Sequence, residues 1–222
     1  MRIKRYCSLF LAVLLALGAS GCGAAGHEAM TIQPAQLSAD EEALGQLLDV
    51  DMDFYHIFDF QTEGGNSAKK TGVQSVQLTL YELADGEWAP LIQDREAFSD
   101  TSGRIALSFG KIAEGVRIAV QGENSFSSRT QDMTPGDDVL SMAHATSMLT
   151  STTTIELDKE TPLVIQIATT KGEIRSYGVE YFGMPREYAK HGYEHVYAIT
   201  VMFSKKAVQE LAGAAADPTT AP

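Results

Sequence analysis

The chain has 222 residues, 44% of them hydrophobic, which is enough for one domain with an ordinary apolar core. Its 29 acids against 17 basic residues give a formal net charge of −12, which argues against nucleic acid and other polyanions as partners. With only two cysteines it is not a disulfide-dense scaffold.

The first five residues carry Arg2, Lys4 and Arg5 and no acid, an apolar run spans Leu9 to Leu17, and small residues lead to Cys22. A basic end, a short apolar run and a small-residue cleavage region make a secretory signal peptide over residues 1–21. The run is shorter than the roughly 20 apolar residues that span a bilayer. The approach Leu17-Gly18-Ala19-Ser20-Gly21-Cys22 resembles the lipobox of bacterial lipoproteins. That resemblance implies a diacylglyceryl group on the Cys22 thiol, cleavage just before it, and a protein held on the extracytoplasmic face of a cell membrane. Two or more acyl chains hold a protein stably on a bilayer where one binds marginally. Gly23 follows the cysteine in place of the Asp associated with inner-membrane retention, so a Gram-positive membrane, favoured here, and an outer membrane both stay open. The alternative is an ordinary signal peptide and release of a soluble protein. Losing residues 1–21 removes three of the 17 basic residues and no acid, which deepens the net charge from −12 to −15. Cys7 leaves with the signal and Cys22 is consumed by lipid, so no thiol remains for a disulfide or a metal.

Residues 22–37 are Gly/Ala-rich and read as a flexible tether. Ser38 and Glu41 spell a capping box, and Leu44, Leu47 and Leu48 give the following 39–48 helix an apolar face. From there the dominant period is two. Met52, Phe54, His56, Phe58 and Phe60 share one strand face, and Val76, Leu78 and Leu80 another. Asp85-Gly86 predicts a tight hairpin into a strand around Trp88 to Ile92. Ile105 to Phe109 and Val116 to Val120 alternate, Gly122 to Asp138 reads as a long polar loop, and Val139 to Leu149 fits a helix or a strand equally. Thr152–Leu157, Leu163–Thr169, Ile174–Phe182 and Glu194–Phe203 are β-rich, with Lys171-Gly172 as a hairpin between the middle pair. Pro185 to Lys190 predicts one helical turn ended by Gly192, and the tail 213–222 reads as disordered. The expectation is an all-β fold: a single antiparallel β-sandwich domain over 38–212, with about 7–9 strands and one or two short helices.

Several letter patterns suggest chemistry. His191-Gly192-Tyr193-Glu194-His195 spells the H-x-x-E-H of the inverzincin metallopeptidases, which needs both histidines on one helical face. Gly192 interrupts that face, and on a strand the two histidines would stand about 13 Å apart, too far for one metal. A turn leading into a strand is the better reading. Ser67-Ala68-Lys69-Lys70 and Lys70-Thr71-Gly72 spell two signatures of penicillin-binding enzymes, but these share a lysine and cannot line opposite sides of a cleft. Asp49, Asp51 and Asp53 open like a calcium loop, with Asp137 and Asp138 as further donors, but Phe54 and Phe60 stand where an EF-hand needs Gly and Glu.

Five of the eight tyrosines lie between Tyr177 and Tyr197, beside Arg175, Arg186, Lys190 and two histidines. Tyrosine with arginine is the composition of recognition surfaces, though the same rings also serve to pack the edge of a β-core. The candidate binding face is Tyr181, Tyr188, His191, Tyr193 and His195, with Trp88 as a second aromatic; Tyr188 and Tyr193 are expected to be its most exposed members. No cofactor, metal or catalytic residue is assigned. The sequence resembles the small tethered β-sandwich lipoproteins of Gram-positive envelopes, a resemblance that brings no activity with it. The expected function is a non-enzymatic binding module for an envelope protein, peptide or glycan, with a metal-dependent envelope hydrolase and a structural or sensory accessory subunit as alternatives.

Overall fold

A computed structural model describes residues 29–47, 54–62, 72–134 and 137–215. The expected signal peptide, Cys22, the acids Asp49, Asp51 and Asp53, and the Ser67 to Thr71 pattern lie outside these residues. Eleven strands are present in the described chain: β1 (Thr31–Pro34), β2 (Tyr55–Gln61), β3 (Ser75–Ala84), β4 (Glu87–Ala97), β5 (Ser102–Ser108), β6 (Gly115–Gly122), β7 (Phe126–Asp132), β8 (Ala143–Met148), β9 (Thr153–Thr154), β10 (Thr161–Thr169) and β11 (His195–Ser204). Four short helices join them: α1 (Ala39–Leu47), α2 (Asp137–Ser141), α3 (Pro185–His191) and α4 (Val208–Ala215). None of the described helices is long and apolar enough to cross a membrane.

The strands form two antiparallel sheets, ordered β7-β6-β5-β2-β1-β9 and β4-β3-β11-β10-β8, packed as a β-sandwich. Period-two alternation explains why they face each other. Phe58 and Phe60 of β2, with Ile105 and Leu107 of β5, turn inward against Leu78 and Leu80 of β3 and Val201 and Phe203 of β11. The rings of Phe60 and Phe203, one from each sheet, lie 4.9 Å apart, and Phe98 closes edge-on against both. Asp85 (φ 52) and Gly86 (φ 80) both adopt left-handed backbone, as the tight β3–β4 hairpin requires.

One polar side chain spans the two sheets. Gln166 of β10 accepts from the Ile112 N–H (2.7 Å) and donates to the Gly110 carbonyl and the Thr146 hydroxyl (3.0 Å each). Ile112 and Gly110 belong to the β5–β6 connection of the opposite sheet, so this buried amide tacks the two layers together. At one side the sandwich is closed again, by an Arg129–Asp94 ion pair (2.6 Å) between β7 and β4.

The differences from the sequence reading have local causes. The tether expected over residues 22–37 does not run to 37, because Thr31–Pro34 pairs between β2 and β9 and Ile32 is fully buried. The loop expected at 122–138 contains β7, an edge strand wet on both faces and so without apolar alternation. Val139–Leu149 is divided between the end of α2 and β8. Ile174–Phe182 is not a strand, and no hairpin forms at Lys171-Gly172; the segment ends in a 3-10 turn at Val179–Gly183. Its Tyr/Val alternation reflects packing against a sheet face with no backbone ladder. Helix α4 (Val208–Ala215) takes in the first residues of the tail expected at 213–222.

His56 of β2 packs its ring on Phe109 (4.9 Å), and burial holds its pKa below the ordinary value of 6.5. The unfolded chain therefore binds the proton more readily. This contribution to stability is complete above about pH 6.5 and is lost as pH falls toward the folded value. His144 is shifted in the same direction by burial. The thermal midpoint is expected to fall between about pH 7.5 and 5.5, and His56→Phe to flatten that slope; equal slopes in both proteins would count against it.

Candidate functional site

The connection from β10 to β11, residues 170–194, folds back as an arm over the outer face of its own sheet. Val196 and Ala198 of β11 and Ile165 and Ile167 of β10 are buried although they face away from the sandwich interior. The arm covers them with Val179 and Tyr188, the latter fully buried on α3. Trp88 of β4 secures the arm, its indole N–H donating to the Phe182 carbonyl (2.8 Å) and its ring stacking on Phe182 (5.2 Å). Gly192 ends α3 in the left-handed conformation (φ 58), and the chain enters β11 three residues later.

This arrangement gathers Tyr181, Tyr188, His191 and Tyr193 of the expected binding face around Tyr177, with Trp88 beside Tyr188, and leaves His195 out. Tyr188, expected among the most exposed, has no exposed surface: its ring packs edge-on to Tyr177 (5.4 Å) and Trp88 (6.2 Å). Its hydroxyl is buried without a hydrogen-bond partner, and burial, then the nearby Glu180 charge, push its pKa well above the usual phenol range. Tyr181 lies against Tyr177 (4.5 Å), and the Tyr177 hydroxyl meets His191 Nε2 at 2.6 Å. His191 stacks on Tyr193, whose hydroxyl accepts from the Arg175 N–H (2.7 Å). His195 leaves the group altogether. Alternation along β11 puts it on the interior side with Tyr197, where its Nδ1 meets Glu82 at 2.7 Å. His191 and His195 thus sit on a helix end and a strand, with different partners. Only a small hollow of about 280 Å³ opens among Lys171, Glu173, Arg175, His191 and Tyr193.

A larger cavity lies elsewhere. A groove of about 1030 Å³ runs between Thr146–Ser151 at the end of β8, Asp158–Pro162 entering β10, and Gly178–Gly183 of the arm. Its walls are more apolar than polar; their polar groups are hydroxyls and three acids, Asp158, Glu160 and Glu180, with Lys159 the single cation. The walls are pre-set. Glu160 accepts from the Tyr81 hydroxyl (2.7 Å) and the Thr200 hydroxyl (3.0 Å), Asp158 accepts from Ser204, and Phe182 is held by Trp88. Burial and the bond to Glu160 push the Tyr81 phenol upward, so it stays protonated and keeps donating. A second cavity of about 400 Å³ shares Met148–Thr150 and reaches Pro34, Leu37, Tyr55 and Ile57 on the first sheet. None of the groove's acids stands out in the sequence as a candidate site residue. The available signals were Asp158-Lys159-Glu160 just before an apolar run and Gln166 within that run.

Among the described residues no group of three or more His, Cys, Asp and Glu side chains is placed to hold a metal ion. No known protein family, curated protein or solved structure matches the chain.

Proposed function

We propose that the protein is a lipid-anchored extracytoplasmic binding module, non-enzymatic, that holds a segment of an envelope protein or a peptide, with a glycan as the second ligand class. The observation that carries this is the groove beside β8. It has the volume of a ligand site, fixed walls, and hydrogen-bonding groups with an aromatic ring at one end. Two of its acids, Asp158 and Glu160, are engaged by hydroxyls that orient them, which suits recognition. The address supports the anchor: Arg2, Lys4, Arg5, the Leu9–Leu17 run and Gly21-Cys22.

Two measurements test the two halves of this reading. Labelled palmitate is expected in the full chain expressed in bacteria and absent from Cys22→Ala; equal labelling would remove the anchor. The full chain in detergent is expected to bind members of a peptide array or a glycan array saturably. Glu180→Lys, an exposed change on the groove wall, should weaken a basic ligand about tenfold or more at low salt. Arrays empty of saturable binders would overturn the binding module.

A further inference from the structure

Resting on the binding-module reading above, we propose that β8 is open to strand addition: an extended peptide, basic on one face and apolar on the other, pairs with it as a sixth strand of the second sheet. An unpaired strand edge is a template for another chain, and proteins usually blunt it with proline, charge, brevity or a covering element. The other edges of the sandwich are blunted. β4 carries Pro90 with Asp94, Arg95 and Glu96, β7 is joined to β4 by the Arg129–Asp94 pair, and β9 is two residues long. β8, Ala143-His144-Ala145-Thr146-Ser147-Met148, has no proline and no Asp, Glu, Lys or Arg. Among the described residues no strand pairs with its outer side. The nearby arm touches it through hydroxyls, Ser147 to Ser176 (2.6 Å).

The register shows which backbone groups are on offer. The Leu149 N–H donates to the Leu163 carbonyl (2.8 Å), and Ser147 and Ala145 stand opposite Ile165 and Ile167. In an antiparallel ladder hydrogen-bonded and non-bonded pairs alternate, so these odd positions spend their groups on β10. His144, Thr146 and Met148 direct theirs to the free side.

The surroundings then specify the occupant. Successive side chains of a strand point to opposite faces, yet Thr146, Ser147, Met148 and Leu149 all line the 1030 Å³ groove, which therefore runs along the edge itself. On the sandwich side, the 400 Å³ cavity is lined by Met148, Leu37 and Phe58. A strand laid about 4.8 Å from β8 sends alternate side chains to these two places. One receives Asp158, Glu160 and Glu180, while Lys159 is paired with Glu156 (2.9 Å); the other receives apolar carbon. Charge complementarity selects basic side chains for the first and aliphatic ones for the second.

The probes are short acetylated peptides of alternating lysine and valine, and of alternating glutamate and valine, titrated into the full chain in detergent. The lysine peptide is expected to bind saturably and at least about tenfold tighter than the glutamate peptide. N-methylation of every second residue should abolish binding for the set whose N–H groups face β8 and spare the other set. Amide exchange at Thr146 and Met148 of the unaltered chain should slow on binding. Met148→Pro, which removes an outward N–H and no ladder bond, should weaken binding; if that variant does not fold, the methylated peptides and the exchange data still decide. No binding of the lysine peptide, or equal binding of both methylated sets, overturns strand addition. Should the arrays bind saturably while the lysine peptide does not, the binding module stands and only this mode of holding falls; should both be empty, both fall.

Discussion

Tyr188→Ala is expected to cost about 3 kcal/mol of unfolding free energy, and Tyr188→Phe to cost nothing or to gain about 1 kcal/mol. The opposite signs follow from one side chain doing two things. Its ring fills the space between the arm and the outer face of the second sheet, against Tyr177 and Trp88, and alanine would leave a cavity there. Its hydroxyl is buried with no partner, so it has been taken from water with nothing in return. Phenylalanine keeps the ring and drops the stranded group. Urea denaturation of the two variants measures both, and a loss of 3 kcal/mol lowers the thermal midpoint by roughly 6–12 °C at this size. A Tyr188→Ala protein within about 0.5 kcal/mol of the parent would mean that the arm is not part of the cooperative unit. A Tyr188→Phe protein that loses stability would mean that the hydroxyl finds a partner in solution.

Gln166→Leu is expected to cost about 3 kcal/mol although it places an apolar residue in an apolar interior. The substitution removes a side chain that satisfies three groups at once: the Ile112 N–H, the Gly110 carbonyl and the Thr146 hydroxyl. A buried group left unsatisfied costs about 1–3 kcal/mol, and the added hydrophobic burial recovers only part of the loss. Gln166→Glu is expected to be worse, since a carboxylate still accepts from Ile112 but cannot donate to Gly110. Combining Gln166→Leu with Thr146→Val isolates the Thr146 bond, at about 0.5–1.5 kcal/mol by double-mutant cycle. Because Thr146 belongs to β8, the same variants should also weaken ligand binding at the groove. A Gln166→Leu protein as stable as the parent would show that these three groups find water instead.

Where a strand has one dry face, the sequence displays it. Phe58/Phe60, Val76/Leu78/Leu80, Ile105/Leu107, Val116/Ile118/Val120 and the runs of β10 and β11 alternate or saturate with apolar residues, and all are strands. The capping box is also present: the Ser38 hydroxyl and backbone N–H both donate to Glu41 (2.9 and 2.8 Å), which with Arg104 holds that carboxyl down at about 2. Strands at the rim are hidden because burial leaves no mark on them. β7 is wet on both sides, and β1 has the single buried residue Ile32. The tyrosine interval was legible as an unusual composition but not as a fold. Tyr177, Val179 and Tyr181 alternate as a strand would, and what places them is a sheet face built from residues far along the chain. The groove was hidden for the same reason, since its walls come from β8, the entry to β10 and the arm, which meet only after the sheet forms.

The early start of β1 bears on where the groove can work. Eight residues, 23–30, separate Cys22 from Thr31, and a fully extended chain of that length reaches at most about 29 Å. A leash running on to residue 37 would have reached nearly twice as far, about 54 Å. If Cys22 carries the proposed anchor, β1 would be moored close above the lipid headgroups, and the cavity beginning at Pro34 and Met148 with it. An acidic domain and an anionic bilayer would repel over a screening length of about 8 Å, which would not lengthen that reach. The site would therefore sample a thin shell next to the membrane. Its natural ligands would be segments that emerge from that same surface, such as the stretch of an integral protein just outside its membrane span, rather than molecules diffusing through the outer layers of the envelope.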